Sequence, residues 1–171
     1  MYMENIKIRP MVERDVSILA NAFIAQGWAD RTKSLSQYVA DQNKGLKTAL
    51  VAECEGVPAG YLTITPSAHG GPFNNQNIPE IKDFNVLIKY RRRGIGTNLM
   101  DAAEEIAKKT ANAVSLAVGL YPDYGAAQIL YIKRGYVPDG GGIWYAGKRL
   151  SPYEPCVNDD DLNLYMIKNF A

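Results

Sequence analysis

Histidine and cysteine are nearly missing from this chain: one His and two Cys among 171 residues. Cys54 and Cys156 stand far apart, with none of the short spacings of a metal-binding pair. A single histidine cannot complete a zinc set, so no metal centre is expected. The same scarcity rules out a disulfide framework and fits reduced thiols in a cytosolic protein. Long apolar runs are missing too: none approaches the roughly eighteen residues that a membrane-spanning helix needs, so no membrane partner is expected. Charge of one sign is not in excess, because 19 Lys and Arg face 18 Asp and Glu for a formal net charge of +1. A basic field pointing to nucleic acid is therefore absent. Met1 to Asn5 carry neither the basic nor the apolar region of a signal peptide, which makes the cytoplasm the expected location.

What remains is ordinary globular material, 47% hydrophobic and 22% charged. That is enough for a sizeable core in a single domain spanning 1–171. No internal repeat or linker divides it.

The most informative stretch is Glu80 to Lys109. Phe84-Asn85-Val86-Leu87-Ile88 is short, branched-rich and barely alternating, which predicts a strand buried on both faces. From Ile95 to Lys109 the spacing of Ile95, Leu99, Met100, Ala103, Ile106 and Ala107 predicts an amphipathic helix. Glu104 and Glu105 precede Lys108 and Lys109 by four residues, the favourable order for helical ion pairs. Between strand and helix lies Arg91-Arg92-Arg93-Gly94-Ile95-Gly96-Thr97. The first turn of a helix has unpaired N–H groups and a partial positive charge. Two glycines let a ligand approach its backbone, and three arginines add charge, so the turn reads as a phosphate cradle. A P-loop would need Lys-Ser or Lys-Thr after its last glycine, but Thr97-Asn98 follows Gly96. A dinucleotide fingerprint would need a third glycine, where Leu99 stands, and an acidic residue about twenty positions on. The plain alternative is a strand-to-helix turn with a solvated basic corner.

In chain order, Ile6 to Arg9 alternates like a strand stopped by Pro10, and Glu13 to Gln26 has a helical apolar face. A second helix, capped by Ser34, is expected to run to about Asn43. Thr48 to Glu53 and Val57 to Thr65 read as strands joined at Glu55-Gly56, a hairpin signal. The polar loop from Pro66 to Pro79 is long for a compact domain, and such loops are often functional. His69 lies in it, with an intrinsic pKa suited to a general base; its other reading is a solvated loop residue. Ala113 to Leu120 reads as a buried strand and Gly125 to Arg134 as a short helix. Pro138 to Gly142 reads as a turn, and Ile143 to Ala146 and Leu162 to Ile167 as final strands. Asp159-Asp160-Asp161 is either a solvated turn or an attraction for a cationic acceptor.

Arg91-x-x-Gly94-x-Gly96 after a strand resembles the acetyl-CoA-binding motif of the GNAT superfamily of acyl-CoA-dependent N-acyltransferases. Ala127-Gln128-Ile129-Leu130-Tyr131-Ile132-Lys133-Arg134-Gly135-Tyr136 resembles the second motif of that family. The resemblance runs from about Ile6 to Ile167, and its specific part is Glu80 to Tyr136. It implies a single α/β domain with a mixed, largely antiparallel sheet of six or seven strands and helices on both faces. The central strand and the strand near Val114 would be parallel and splay apart for the pantetheine arm. It also implies acetyl-CoA as co-substrate and N-acetyl transfer to a primary amine, with a small molecule as the expected acceptor. The alternatives are a non-catalytic acyl-CoA-binding regulatory domain and an acetyltransferase for protein lysines or N-termini. Edge strands near the C-terminus would permit a homodimer.

Under this resemblance Arg91, Arg92, Arg93, Gly94, Ile95, Gly96 and Thr97 hold the pyrophosphate, and backbone groups at Phe84 and Val86 serve the thioester oxygen. Tyr131 matches the tyrosine that faces the coenzyme sulfur, where it could protonate the leaving thiolate. Glu80, eleven residues before Arg91, stands where some members carry a glutamate that deprotonates the amine. Asp83 is the alternative base, since a carboxylate within a buried strand would otherwise be costly; either acid could instead bind a cationic acceptor. The first two helices would form one wall of the acceptor cleft, with Trp28 lining it and His69 bordering it. Tyr124 departs from the pattern, standing where many members use Asn to bind the coenzyme.

Overall fold

The computed structural model describes residues 5–170. Most of the Met1 to Asn5 segment read above thus lies outside the described residues. Chain order is β1 (Ile6–Pro10), α1 (Glu13–Ala25), α2 (Thr32–Asn43), β2 (Thr48–Cys54), β3 (Val57–Thr65), β4 (Glu80–Val86), α3 (Ile95–Lys108), β5 (Ala113–Gly119), α4 (Gly125–Lys133), β6 (Val137–Tyr145), β7 (Lys148–Arg149) and β8 (Leu162–Asn169). This is a mixed α/β fold with a mostly antiparallel eight-stranded sheet. The count exceeds the expected six or seven because β7 is a two-residue strand and β1 pairs fully along β2. The residues divide into two compact units, 5–65 with 82–106 and 66–81 with 107–170.

In the first unit the strand order is β1-β2-β3-β4. β2 and β3 are antiparallel, joined at Glu55 and Gly56 with φ of 52° and 79°. Two left-handed residues in succession are what a tight hairpin of the right twist requires. Val16, Leu19 and Phe23 of α1 and Leu35, Tyr38 and Val39 of α2 pack with Ala49 and Val51 of β2 and Tyr61 of β3. Burying such a side chain fully is worth about 1.5–3 kcal/mol. α2 begins at Thr32, not at Ser34, because the Asp30 carboxylate accepts hydrogen bonds from the Thr32 N–H (2.8 Å) and Oγ (2.6 Å). On α3, Ile95, Leu99, Met100, Ala103 and Ala107 are buried, as the spacing predicts, whereas Ile106 is half-buried.

The central strand corrects the sequence reading. It is Glu80–Val86, and Ile88–Tyr90 is a 3₁₀ turn. Phe84 to Val86 are half-buried, and Ile88 is 49% exposed. Leu87 makes the last strand-like bond, its N–H donating to the Ala59 carbonyl at 2.9 Å, and the chain then turns. Gly60 is required beside it: a Cβ there would lie 2.7 Å from the Asn85 carbonyl oxygen.

In the second unit the order is β4-β5-β8-β6-β7. Glu80 and Ile81 pair in parallel with Ser115 and Leu116, which matches the expected parallel pair. β5 and β8 are antiparallel from Ala113↔Asn169 to Gly119↔Asn163. Pro138 to Gly142, expected as a turn, lies within β6 as an irregular stretch where the register with β8 shifts. The loop from Pro66 to Pro79 is packed: the Ala68 N–H donates to the Ile78 carbonyl (2.9 Å), and the buried Phe73 sets its ring edge-on to Tyr165.

A buried ion network ties β1 to α1 and β2. Arg9 donates to Asp15 at 2.6 and 2.8 Å and to Glu53 at 2.6 and 2.8 Å, and the Val12 N–H also reaches Asp15. Burial pushes the Asp15 carboxyl up, but the bonds from Arg9 and Val12 outweigh it and hold its pKa below the ordinary value. A depressed folded pKa contributes stability above about pH 4 that is lost as pH falls through the folded value. Arg9→Met would strand Asp15 in the core and should cost about 3 kcal/mol in urea unfolding at pH 7. The deficit should narrow below about pH 4 as Asp15 is protonated. A deficit independent of pH would show that the network does not depend on the Asp15 charge.

Candidate active site

In the first unit the site is built on a distortion of β4. Asp83 has φ of 49°, left-handed backbone in mid-strand. Its carboxylate accepts a hydrogen bond from the Tyr38 hydroxyl and an ion pair from Arg31 Nη2 at 3.3 Å. Asn85 Nδ2 bonds to the Asp83 carbonyl (3.2 Å) and to the Tyr61 hydroxyl (3.3 Å). Tyr61 is fully buried, and burial pushes its phenol up to about 12. Burial and the Asp83 carboxylate also raise Tyr38. Both phenols therefore stay neutral and can act as hydrogen-bond donors. Asp83 itself is 39% exposed at its side chain. The expected carboxylate within a buried strand is thus a partly exposed one, set apart by its left-handed backbone.

Beyond the distortion, Phe84 lies beneath the start of α3. A Cβ on Gly96 would come within 3.0 Å of its ring. Val86 offers its carbonyl to Arg91 Nε at 3.1 Å. Arg92 and Gly94 are left-handed at 61° and 81°, so the chain reverses sharply into the helix. Asn98 closes the turn, with its backbone N–H (3.0 Å) and side-chain amide (2.9 Å) both donating to the Gly94 carbonyl. The N–H groups of Ile95, Gly96 and Thr97 belong to the first helical turn, where the helix supplies no acceptor. Arg91, Arg92, Arg93 and Gly94 are exposed. A Cβ on Gly94 would meet nothing nearer than Asn98 at 3.7 Å. Open space, first-turn N–H groups and cationic side chains fit the phosphates of coenzyme A. Trp28 is half-buried, edge-on to Phe23 at 5.1 Å, with the Arg91 guanidinium 5.4 Å from its ring.

In the second unit Glu80 is 2% exposed, deep at the start of β4, not on the surface. Burial and then the Glu80 charge raise the nearby Tyr165 phenol. Tyr131 is 5% exposed on α4, and burial pushes its pKa above the ordinary value. Tyr124 packs so closely on Gly119 that a Cβ there would lie 2.4 Å from its ring. Its hydroxyl donates to Asp160 at 2.7 Å, and Tyr121 donates to the same oxygen. His69 is exposed on the loop.

Sequence reasoning missed Arg31, Tyr38, Tyr61 and Asn85. Tyr38 and Tyr61 lie within the expected second helix and the Val57 to Thr65 strand, where nothing in the sequence marks them as partners of a distant polar residue. Nothing about Asp30-Arg31-Thr32 set its arginine apart.

The acetyltransferase (GNAT) family model matches residues 17–136, well over half of the chain. No curated protein is a significant sequence match. Among solved structures, the ribosomal-protein-alanine N-acetyltransferase of Brucella melitensis is similar at 20% identity and TM-score 0.67, covering 96% of this chain and 99% of that one. The PaiA N-acetyltransferase of Thermoplasma acidophilum, solved with coenzyme A, is similar at 16% identity and TM-score 0.67, covering 97% and 99%. A GNAT-family acetyltransferase of Staphylococcus aureus Mu50 is similar at 15% identity and TM-score 0.66, covering 98% and 100%. At these identities the likeness is one of fold.

The left-handed backbone at Asp83 predicts a graded response to substitution. Asp83→Asn keeps a side chain that tolerates this conformation and should lower stability by less than about 1 kcal/mol. Asp83→Val should cost about 2 kcal/mol or more, since branched side chains resist it. Equal midpoints of urea unfolding for the two variants would contradict this.

Proposed function

The chain belongs to the acetyltransferase (GNAT) family, and on that premise we propose that it transfers an acetyl group from acetyl-CoA to the primary amine of a small molecule in the cytoplasm. The observation that carries this reading is the exposed glycine turn at the start of α3, with Arg91, Arg92 and Arg93 before it and Gly96 pressed against Phe84. The backbone of Gly94 to Thr97 binds the pyrophosphate, and the arginines supply long-range attraction.

When bound, acetyl-CoA supplies the acyl group as a thioester and a thiolate as leaving group. Glu80 takes the proton that the amine loses as the N–C bond forms; Asp83 is the second candidate for that role. Tyr131 gives a proton to sulfur as the C–S bond breaks. Its raised pKa keeps that proton in place at neutral pH. The backbone at Phe84 and Val86, redirected by the turn at Asp83, serves the oxygen that gains charge; one such donor is worth about a hundredfold in rate elsewhere. Trp28 and His69 contribute to acceptor binding. Tyr124, engaged with Gly119 and Asp160, contributes to the coenzyme end through packing.

Tyr131→Phe should lower kcat for thiol release about a hundredfold while leaving the Kd for coenzyme A nearly unchanged. An unaltered kcat would remove Tyr131 from the chemistry. Glu80→Gln should lower kcat by a similar factor and flatten the acidic limb of the pH–rate profile. If that limb persists, the base is Asp83 or a water.

A further inference from the structure

Arg31 has no part in the catalytic roles above, and holding the Asp83 carboxylate engages only part of it. It caps the N-terminus of α2, the positive end of a helix, where a cation is disfavoured. Its Nε is buried with no hydrogen-bond partner. Its ion pair with Asp83 is a single Nη2 contact of 3.3 Å. Arg9 shows what a structural arginine looks like in this protein: Nε, Nη1 and Nη2 all bond to carboxylates at 2.6–2.8 Å. The Tyr38 and Tyr61 hydroxyls also lie against Arg31, but Asp83 is its single carboxylate contact among the described residues, so its guanidinium is less fully engaged than that of Arg9. Its guanidinium and the Asp83 carboxylate are open to solvent, 30% and 39% exposed at their side chains. Beside them lies a cluster of tilted and edge-on rings, with Tyr38 6.3 Å from Tyr61, and Phe23 5.9 Å from Tyr61 and 5.1 Å from Trp28.

A partly exposed cation in contact with a partly exposed anion matches a ligand that carries the same two charges side by side. We infer that Arg31 and Asp83 together select an acceptor bearing a carboxylate next to its amine, an α-amino acid or a close relative. Arg31 takes the carboxylate through its planar fork, and Asp83 takes the ammonium before deprotonation. The two charged ends of an α-amino acid are separated by a single carbon, in keeping with side-chain ends that touch. A doubly charged phosphate fits less well, because Asp83 would repel it. The tyrosines' neutral hydroxyls keep both side chains aligned without adding charge. This inference rests on the acetyl-transfer reading and narrows its acceptor.

The test uses the full chain saturated with coenzyme A, which has no acetyl group to give. Its melting midpoint is followed with the common α-amino acids, their decarboxylated amines and their deaminated acids at equal concentrations. At least one amino acid should raise the midpoint where its amine and its acid do not. Arg31→Met should abolish that shift and raise KM for the amino acid in thiol release about tenfold or more. Arg31→Lys, which keeps charge but loses the fork, should fall between. Should Arg31→Met melt too low to assay, Arg31→Lys and Asp83→Asn carry the comparison. A decarboxylated amine that binds as well as its amino acid overturns the inference. So does a panel in which no amino acid shifts the midpoint, or a preference that survives the substitutions. Thiol release by plain amines alone overturns the carboxylate role and leaves acetyl transfer standing. No release with any amine, while coenzyme A still binds, overturns transfer itself.

Discussion

A residue with left-handed backbone in the middle of a strand costs about 1–2 kcal/mol, and β4 carries one at Asp83 because its side chain is gripped from α2 and from the residue before it. Tyr38 donates to one carboxylate oxygen and Arg31 approaches the other. The consequences run along the strand. Asn85 turns its amide to Tyr61, and its carbonyl comes so close to β3 that only glycine fits at residue 60. Phe84 becomes the floor on which Gly96 seats the start of α3. The position of the first-turn N–H groups, the proposed phosphate cradle, follows from the turn at Asp83.

Two aspartates in the first unit show how environment separates structure from chemistry. Asp15 is fully buried and saturated by Arg9 and the Val12 N–H. It can only hold elements together, and removing its partner would be expensive. Asp83 is more than a third exposed, although Tyr38 and Arg31 hold it. It holds the backbone and still faces solvent with an anion. The two arginines differ in the same way, one saturated and one less fully engaged, and that difference gives the site its proposed reading of the acceptor.

Much of the frame was legible beforehand. The β2–β3 hairpin could be read from Glu55-Gly56 between two branched strands, and α3 from six apolar residues at helical spacing, five of them buried in the structure. The parallel pairing of β4 with β5 followed from the family resemblance. What escaped was non-local. β4 begins at Glu80 because Glu80 and Ile81 pair with β5, and no pattern in Glu80-Ile81-Lys82-Asp83 announces a strand. β6 keeps strand pairing at both ends of a glycine run that reads as a turn. Arg31 and Tyr38 lie two turns apart at the cap and within α2, Tyr61 lies on β3 and Asp83 on β4, and only tertiary packing brings them together.

Binding of the acetyl-CoA phosphates by the turn from Arg91 to Thr97 would show in a thermal melt with and without that ligand, with adenosine diphosphate as the control. Ligand at about a hundred times its Kd should add roughly 2.7 kcal/mol to the stability of the folded state. In a chain of this size that is a rise of about 5–10 °C in the midpoint. A rise with acetyl-CoA that exceeds the rise with adenosine diphosphate is the predicted result. An unmoved midpoint at millimolar acetyl-CoA would mean that the glycine turn is only the corner between a strand and a helix, and the catalytic reading would fall with it.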